Sequence, residues 1–183
     1  MWPIGPLMHE HRLIERMVAL AGAEAARLQA GGELDAPFIE TMVDFVRNYA
    51  DRCHHGKEEE ILFTELADRP LPPELAAIMA ELIEEHKLGR HLVGELVERK
   101  ERAQTGDGAA LSGLIGTMEH LAAFYPQHIA KEDKRFFFPC MEYLGRGEKD
   151  AMLARFWEFD RQMIHEIYAK VVERAEARPG AGS

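Results

Sequence analysis

Residues 38–66 read FIETMVDFVRNYADRCHHGKEEEILFTEL. The apolar positions return at steps of three and four through Phe38, Met42, Phe45 and Tyr49, and again at Phe63 and Leu66. That spacing is the one by which an α-helix buries one stripe against its neighbours. Between the two apolar ends the same stripe passes through Arg52, Gly56 and Glu59, with His55 at its edge. A helix apolar at both ends and ionisable in the middle is the feature that the rest of the chain has to explain.

Three other segments carry a seam of the same kind. The first runs Ile4, Leu7, His11, Ile14, Val18, Ala21, Ala25, Leu28. The third runs Leu75, Met79, Leu82, His86, Gly89, Val93, Leu96, and the fourth Leu111, Leu114, Met118, Leu121, Tyr125, His128, Glu132. Breakers separate the segments at Gly31-Gly32, Arg69-Pro70-Leu71-Pro72-Pro73, Gly106-Asp107-Gly108 and Gly145-Arg146-Gly147. The pattern predicts helices near 6–30, 37–67, 73–104, 109–136 and 148–177, with Pro37 and Pro73 in first turns and a kink or irregularity at Pro126. No strand-like alternation competes. The expected fold class is all-α, an up-down four-helix bundle with an additional C-terminal helix. It should form one domain over residues 1–177, with a frayed tail at 178–183.

Composition narrows the function. A chain of 183 residues, 46% hydrophobic and 30% charged, can bury one substantial core. Its formal charge of −10, without a compensating basic run, argues against nucleic acid and anionic membrane surfaces as partners. No apolar stretch approaches the ~20 residues of a membrane span, and Met1-Trp2-Pro3-Ile4-Gly5-Pro6 lacks the layout of a signal peptide. A cytoplasmic location is expected, with Cys53 and Cys140 reduced and unpaired.

The polar residues on the seams carry the chemistry. His11, Glu59, His86, His128 and Glu132 stand where a bundle wants leucine, and each of the four helices supplies at least one. His55 precedes Glu59 by four residues, as His128 precedes Glu132, and side chains at that spacing stack on one helix face. Unpaired buried carboxylates and imidazoles cost several kcal/mol or lose their charge, so such a cluster calls for cations. Imidazole nitrogen with carboxylate oxygen, and no thiolate, suits iron ahead of manganese or zinc. Any one seam histidine is more often an ordinary core residue with a hydrogen-bond partner, and His11 with Glu15 or His91 with Glu95 match the spacing by accident. Agreement in phase across four helices is the stronger signal. At about 100° per residue, His54 and Glu58 turn away from the apolar face, so the pair expected inside is His55 with Glu59. His9 and His91 fall on outer faces. Ferritin-type di-iron bundles use a Glu followed three residues later by His, and the chain contains no such pair.

At these residues the chain resembles the hemerythrin-like, or HHE cation-binding, family. The matching stretches are residues 5–15 (GPLMHEHRLIE), 54–63 (HHGKEEEILF), 85–87 (EHK) and 128–133 (HIAKED). The resemblance implies a non-haem centre of two Fe ions, with His11, His55, His86 and His128 as ligands and Glu59 and Glu132 as bridging carboxylates. Two departures stand out. The oxygen-carrying hemerythrins have two histidines four apart on the third helix, whereas His86 is followed at that position by Arg90. Their last motif ends in Asp, one residue later than Glu132 falls. One histidine fewer implies an open position or a ligand from elsewhere, and open positions favour chemistry over carriage.

Tyr49 and Tyr125 lie on seams near the cluster, where they are either hydrogen-bonded core tyrosines or groups that orient the ligands or meet the metal. Glu15 is left open in the same way. Cys53 is read as a plain buried thiol ahead of a redox-sensitive one. The leading function is binding or sensing of dioxygen or nitric oxide. The alternatives are a di-iron oxidoreductase acting on peroxide, nitric oxide or ferrous iron, and an iron storage or donor protein. Sensing would require a partner protein, and the fifth helix could pair two copies.

Overall fold

Helix ends follow local chemistry. The Asp35 carboxylate accepts a hydrogen bond from the Phe38 amide, and Asp107 accepts one from Ala110, so two helices begin on aspartate caps. Another starts at Pro73, where the missing N–H is not needed. Gly31 and Gly106, at φ 86° and 89°, take the left-handed backbone that ends the two helices before them.

The computed structural model describes residues 2–160 and 164–178. Helix α1 is Ile4–Gln29. Helix α2 covers 36–67 and changes type along its length: α-helical over Ala36–Phe45, π-helical over Val46–His55 and Glu58–Phe63, and α-helical again over Thr64–Ala67. Helix α3 is Pro73–Gln104. Helix α4 runs unbroken through Pro126 from Gly108 to Lys131, becomes π-helical over Glu132–Phe136, and closes with a helical turn at Phe137–Cys140 and a 3-10 turn at Met141–Tyr143. Among the described residues there is no strand.

Helices α1 and α3 both pack along α4, and α2 packs against α1 and α3, so sequence neighbours are neighbours in space around an up-down four-helix bundle. The C-terminal stretch expected as one helix over 148–177 is two: α5, Arg146–Phe159, and α6, Ile164–Glu176. At Asp160 the backbone leaves the helical region, and its carboxylate is held by Lys57 on α2 at 2.6 Å. Helix α5 lies on the second π-helical stretch of α2, and α6 lies on α1 and α2. Arg178, expected to fray, is tied to Glu24 at 2.8 Å and lies over the Phe38 ring; the rest of the expected tail, 179–183, is outside the described residues.

The core is divided. One apolar cluster, from Ile14 and Leu28 of α1 to Leu114 and Leu121 of α4, fills one end of the bundle. A second, built around Leu7, Leu62, Leu82 and Phe136, fills the other. Each fully buried large apolar side chain contributes roughly 1.5–3 kcal/mol, so both ends hold the four helices firmly in register. Between them lies a buried polar layer containing His11, residues 54–58, His86, His128 and Glu132. Among the described residues no helix is long and apolar enough to cross a membrane.

Candidate metal centre

The π-helical stretches decide which side chains enter this layer. Hydrogen bonding from i to i+5 widens the helix and turns each residue through less than the usual 100°, so phase drifts along Val46–His55 and Glu58–Phe63. His54 and His55 come to straddle the inward direction, 1% and 2% exposed. Glu58, and not Glu59, points to the centre: it is fully buried, whereas the Glu59 side chain is 28% exposed. The expectation that His54 and Glu58 turn outward fails because it assumed α-helical phase throughout.

Two groups of donors result. His11, His54, Glu58 and Glu132 form one, and His55, His86 and His128 form the other; within each, the ligating atoms lie within 4.8 Å of one another. Glu58 and Glu132 link the groups. Glu58 places one oxygen 3.5 Å from His54 Nε2 and the other 3.3 Å from His86 Nε2. Glu132 reaches His11 Nε2 at 3.1 Å with one oxygen and His128 Nε2 at 3.4 Å with the other. His55 and His86 stack face to face at 3.9 Å, and the Nε2 atoms of His11 and His54 approach to 2.9 Å.

On the outer side, each ring offers Nδ1 to a carboxylate. His11 pairs with Asp133 at 2.8 Å, His54 with Glu10 at 2.8 Å, His55 with Asp51 at 3.4 Å, His86 with Glu59 at 2.7 Å and His128 with Glu85 at 2.8 Å. A carboxylate at Nδ1 keeps the proton there and leaves Nε2 with a lone pair directed inward, the arrangement of a metal-ligating histidine. Glu59 therefore belongs to the outer ring of supports, shared between His86 and Arg90. Aromatic faces fix the rings further: Phe137 stacks on His11, Phe63 on His86 and Phe124 on His128.

The inward atoms test whether cations fit. Nε2 of His55, His86 and His128 and all four carboxylate oxygens of Glu58 and Glu132 are buried without a hydrogen-bond partner. Buried polar atoms left this way are costly, and so many in contact require a group that accepts lone pairs, which a metal cation does. Without metal, protons take that role. Burial opposes it, but the bond to Asp133 and the charge of nearby Glu132 raise the His11 pKa to about 10, and the charges of Glu132, Glu58 and Glu59 raise that of His86 to about 11. His55, buried and facing His86, His54 and His128, is pushed well below the ordinary histidine value. Glu132 stays far below the usual carboxylate range: burial works against it, and His128, His11 and His86 overcome burial.

A third group, Glu10, Cys53 and Asp160, has metal-like proximity but is filled by the Lys57 ammonium, which contacts all three. The Cys53 thiol donates to Asp160 at 3.0 Å, and burial pushes its pKa up, so it is not a thiolate donor. Tyr49 and Tyr125 are both buried: Tyr49 packs on Phe45 and Tyr168, and the Tyr125 ring lies 6.4 Å from that of His128. Glu15 pairs with Arg12 at the surface, and His9 and His91 are exposed.

Of the residues expected inside, the structure brings His11, His55, His86, His128 and Glu132 together and leaves Glu59 at the edge. Two were missed, His54 and Glu58. Their signal was present as a second His–Glu pair four apart, offset by one residue, but choosing between the pairs needed the helix type. Helix α2 supplies adjacent rings to both groups, and Arg90 on α3 holds Asp51 and Glu59 instead of entering the centre.

Comparison with known proteins agrees with this geometry. Uncharacterized proteins of Mycobacterium tuberculosis (strains H37Rv and CDC 1551) and Mycobacterium bovis are 26% identical over 169 residues, covering 92% of this chain and 65% of theirs. The chain thus spans just under two thirds of the length of these curated relatives. No solved structure matches it significantly. The Hemerythrin HHE cation binding domain matches residues 3–137, which hold every histidine and both carboxylates of the buried layer, and the chain belongs to that family.

Proposed function

We propose that the protein is a non-haem di-iron protein that binds dioxygen or nitric oxide, with His11 and His54 holding one ion and His55, His86 and His128 the other. Glu58 and Glu132 hold both. The observation that carries this reading is the set of inward, buried nitrogen and oxygen atoms without partners, each ring backed by a carboxylate. Iron in such a site supplies open coordination and one-electron chemistry toward small molecules.

The chain's own residues set the conditions. Carboxylates at Nδ1 keep the rings oriented and electron-rich, and the two apolar clusters at either end keep bulk water from the layer. With the donors supplied by helices of a packed bundle, the geometry is held before metal arrives. Elemental analysis of purified protein, read with its visible spectrum, tests the proposal. Two irons per chain and a spectral change on adding nitric oxide to the reduced protein are expected. Iron content near zero after reconstitution, or a spectrum indifferent to both gases, would refute it.

A further inference from the structure

We propose that small uncharged molecules reach this centre through a cavity between α2 and α3, walled by Gly89 and lidded by Arg90. The inference rests on the di-iron reading above and adds a route and a size limit to it. The cavity has a volume of about 120 Å³. Val46, Val93 and the Tyr125 ring form apolar walls, and the buried ring of His55 forms its inner end. An apolar cavity of about 150 Å³ takes up benzene, so this space admits molecules smaller than that. Its mouth is polar: Arg47, Asp51 and Arg90 line both this cavity and the broad depression on the surface outside.

Arg90 closes the mouth by donating from Nε to Asp51 at 2.8 Å and from Nη2 to Glu59 at 2.7 Å. Its side chain is 39% exposed, so water can take the place of these bonds when the lid swings out. The anchors are the same carboxylates that take Nδ1 of His55 and His86, which sets the lid directly above those two ligands.

Gly89 is the second observation. It is buried in the middle of a regular helix without the positive φ that calls for glycine, a position where alanine would favour the helix. A Cβ there would lie 3.4 Å from the Tyr125 hydroxyl oxygen and 3.9 Å from Phe124. A methyl group fits without a clash, and a larger side chain takes up the cavity. Glycine at this point keeps space open beside the centre.

Rapid mixing of nitric oxide with reduced, iron-loaded protein tests the route. Gly89→Leu should slow association by roughly tenfold or more, Gly89→Ala by less, both with full iron content and the resting spectrum unchanged. Arg90→Ala should speed it severalfold. Gly94→Ala, on the exposed side of the same helix with nothing within 4 Å of its Cβ, should leave the rate unchanged. An unaltered rate in iron-replete Gly89→Leu overturns the route, and an unaltered rate in Arg90→Ala removes the lid. Xenon under pressure gives a metal-independent reading: crystals of metal-free protein should show it between Val46, Val93 and Tyr125, and its absence overturns the cavity. Failure of the wild-type protein to bind nitric oxide at all would instead refute the di-iron reading.

Discussion

Glu58 and Glu59 are adjacent, identical in chemistry, and assigned opposite places, so exchanging each for glutamine separates the two roles. The Glu59 carboxylate accepts from His86 Nδ1 and from Arg90, both at 2.7 Å, at the edge of the site. Glutamine keeps an acceptor there and loses the charge. Loss of such an outer partner costs about 10–100-fold in metal affinity, or roughly 1.4–2.8 kcal/mol. Glu58 is different: its two oxygens face His54 and His86 in the two donor groups and have no hydrogen-bond partner. Glu58→Gln removes a shared anionic donor and buries an amide among lone pairs, so the affinity of the pair should fall by more than about 100-fold, above the range for an outer partner. Competitive titration with a chromophoric chelator, followed by elemental analysis, reads both. If Glu59→Gln empties the site while Glu58→Gln stays fully loaded, the phase of α2 argued above is wrong.

Four other outcomes follow from the structure. Removing iron should lower the melting temperature: free iron at 100 times Kd stabilises by about 2.7 kcal/mol, roughly 5–10 °C for a chain of this size, and equal melting with and without metal would count against the centre. Metal-free protein should lose stability as pH rises. His11 and His86, raised to about 10 and about 11, contribute fully below the ordinary value of 6.5 and lose that contribution through their folded values, while His55, held below 6.5, opposes folding in acid. Thermal melts from pH 6 to 11 check the sign, and metal uptake at neutral pH should release protons in a pH-stat. Lys57→Met should cost about 3–5 kcal/mol in urea unfolding, because it removes the buried ammonium that pairs with both Glu10 and Asp160.

The sequence by itself determined the four helices of the bundle and the apolar stripes at their ends, because burial of a stripe imposes a period that can be read without a partner. It also determined that His11, His86, His128 and Glu132 lie inward, since the three histidines sit on regular α-helix where 100° per residue holds. Glu132, the first residue of a π-helical stretch, precedes any drift. Three features were decided only in the folded molecule. The choice of Glu58 over Glu59, and the entry of His54 beside His55, depend on π-helical winding, which no short-range pattern encodes. The pairing of Asp160, where α5 ends, with Lys57, 103 residues earlier in the chain, depends on tertiary packing. The carboxylates behind the rings, Asp133 behind His11 and Glu85 behind His128 among them, are surface-like residues in the sequence. They become supports because packing of separate helices brings them within hydrogen-bonding distance.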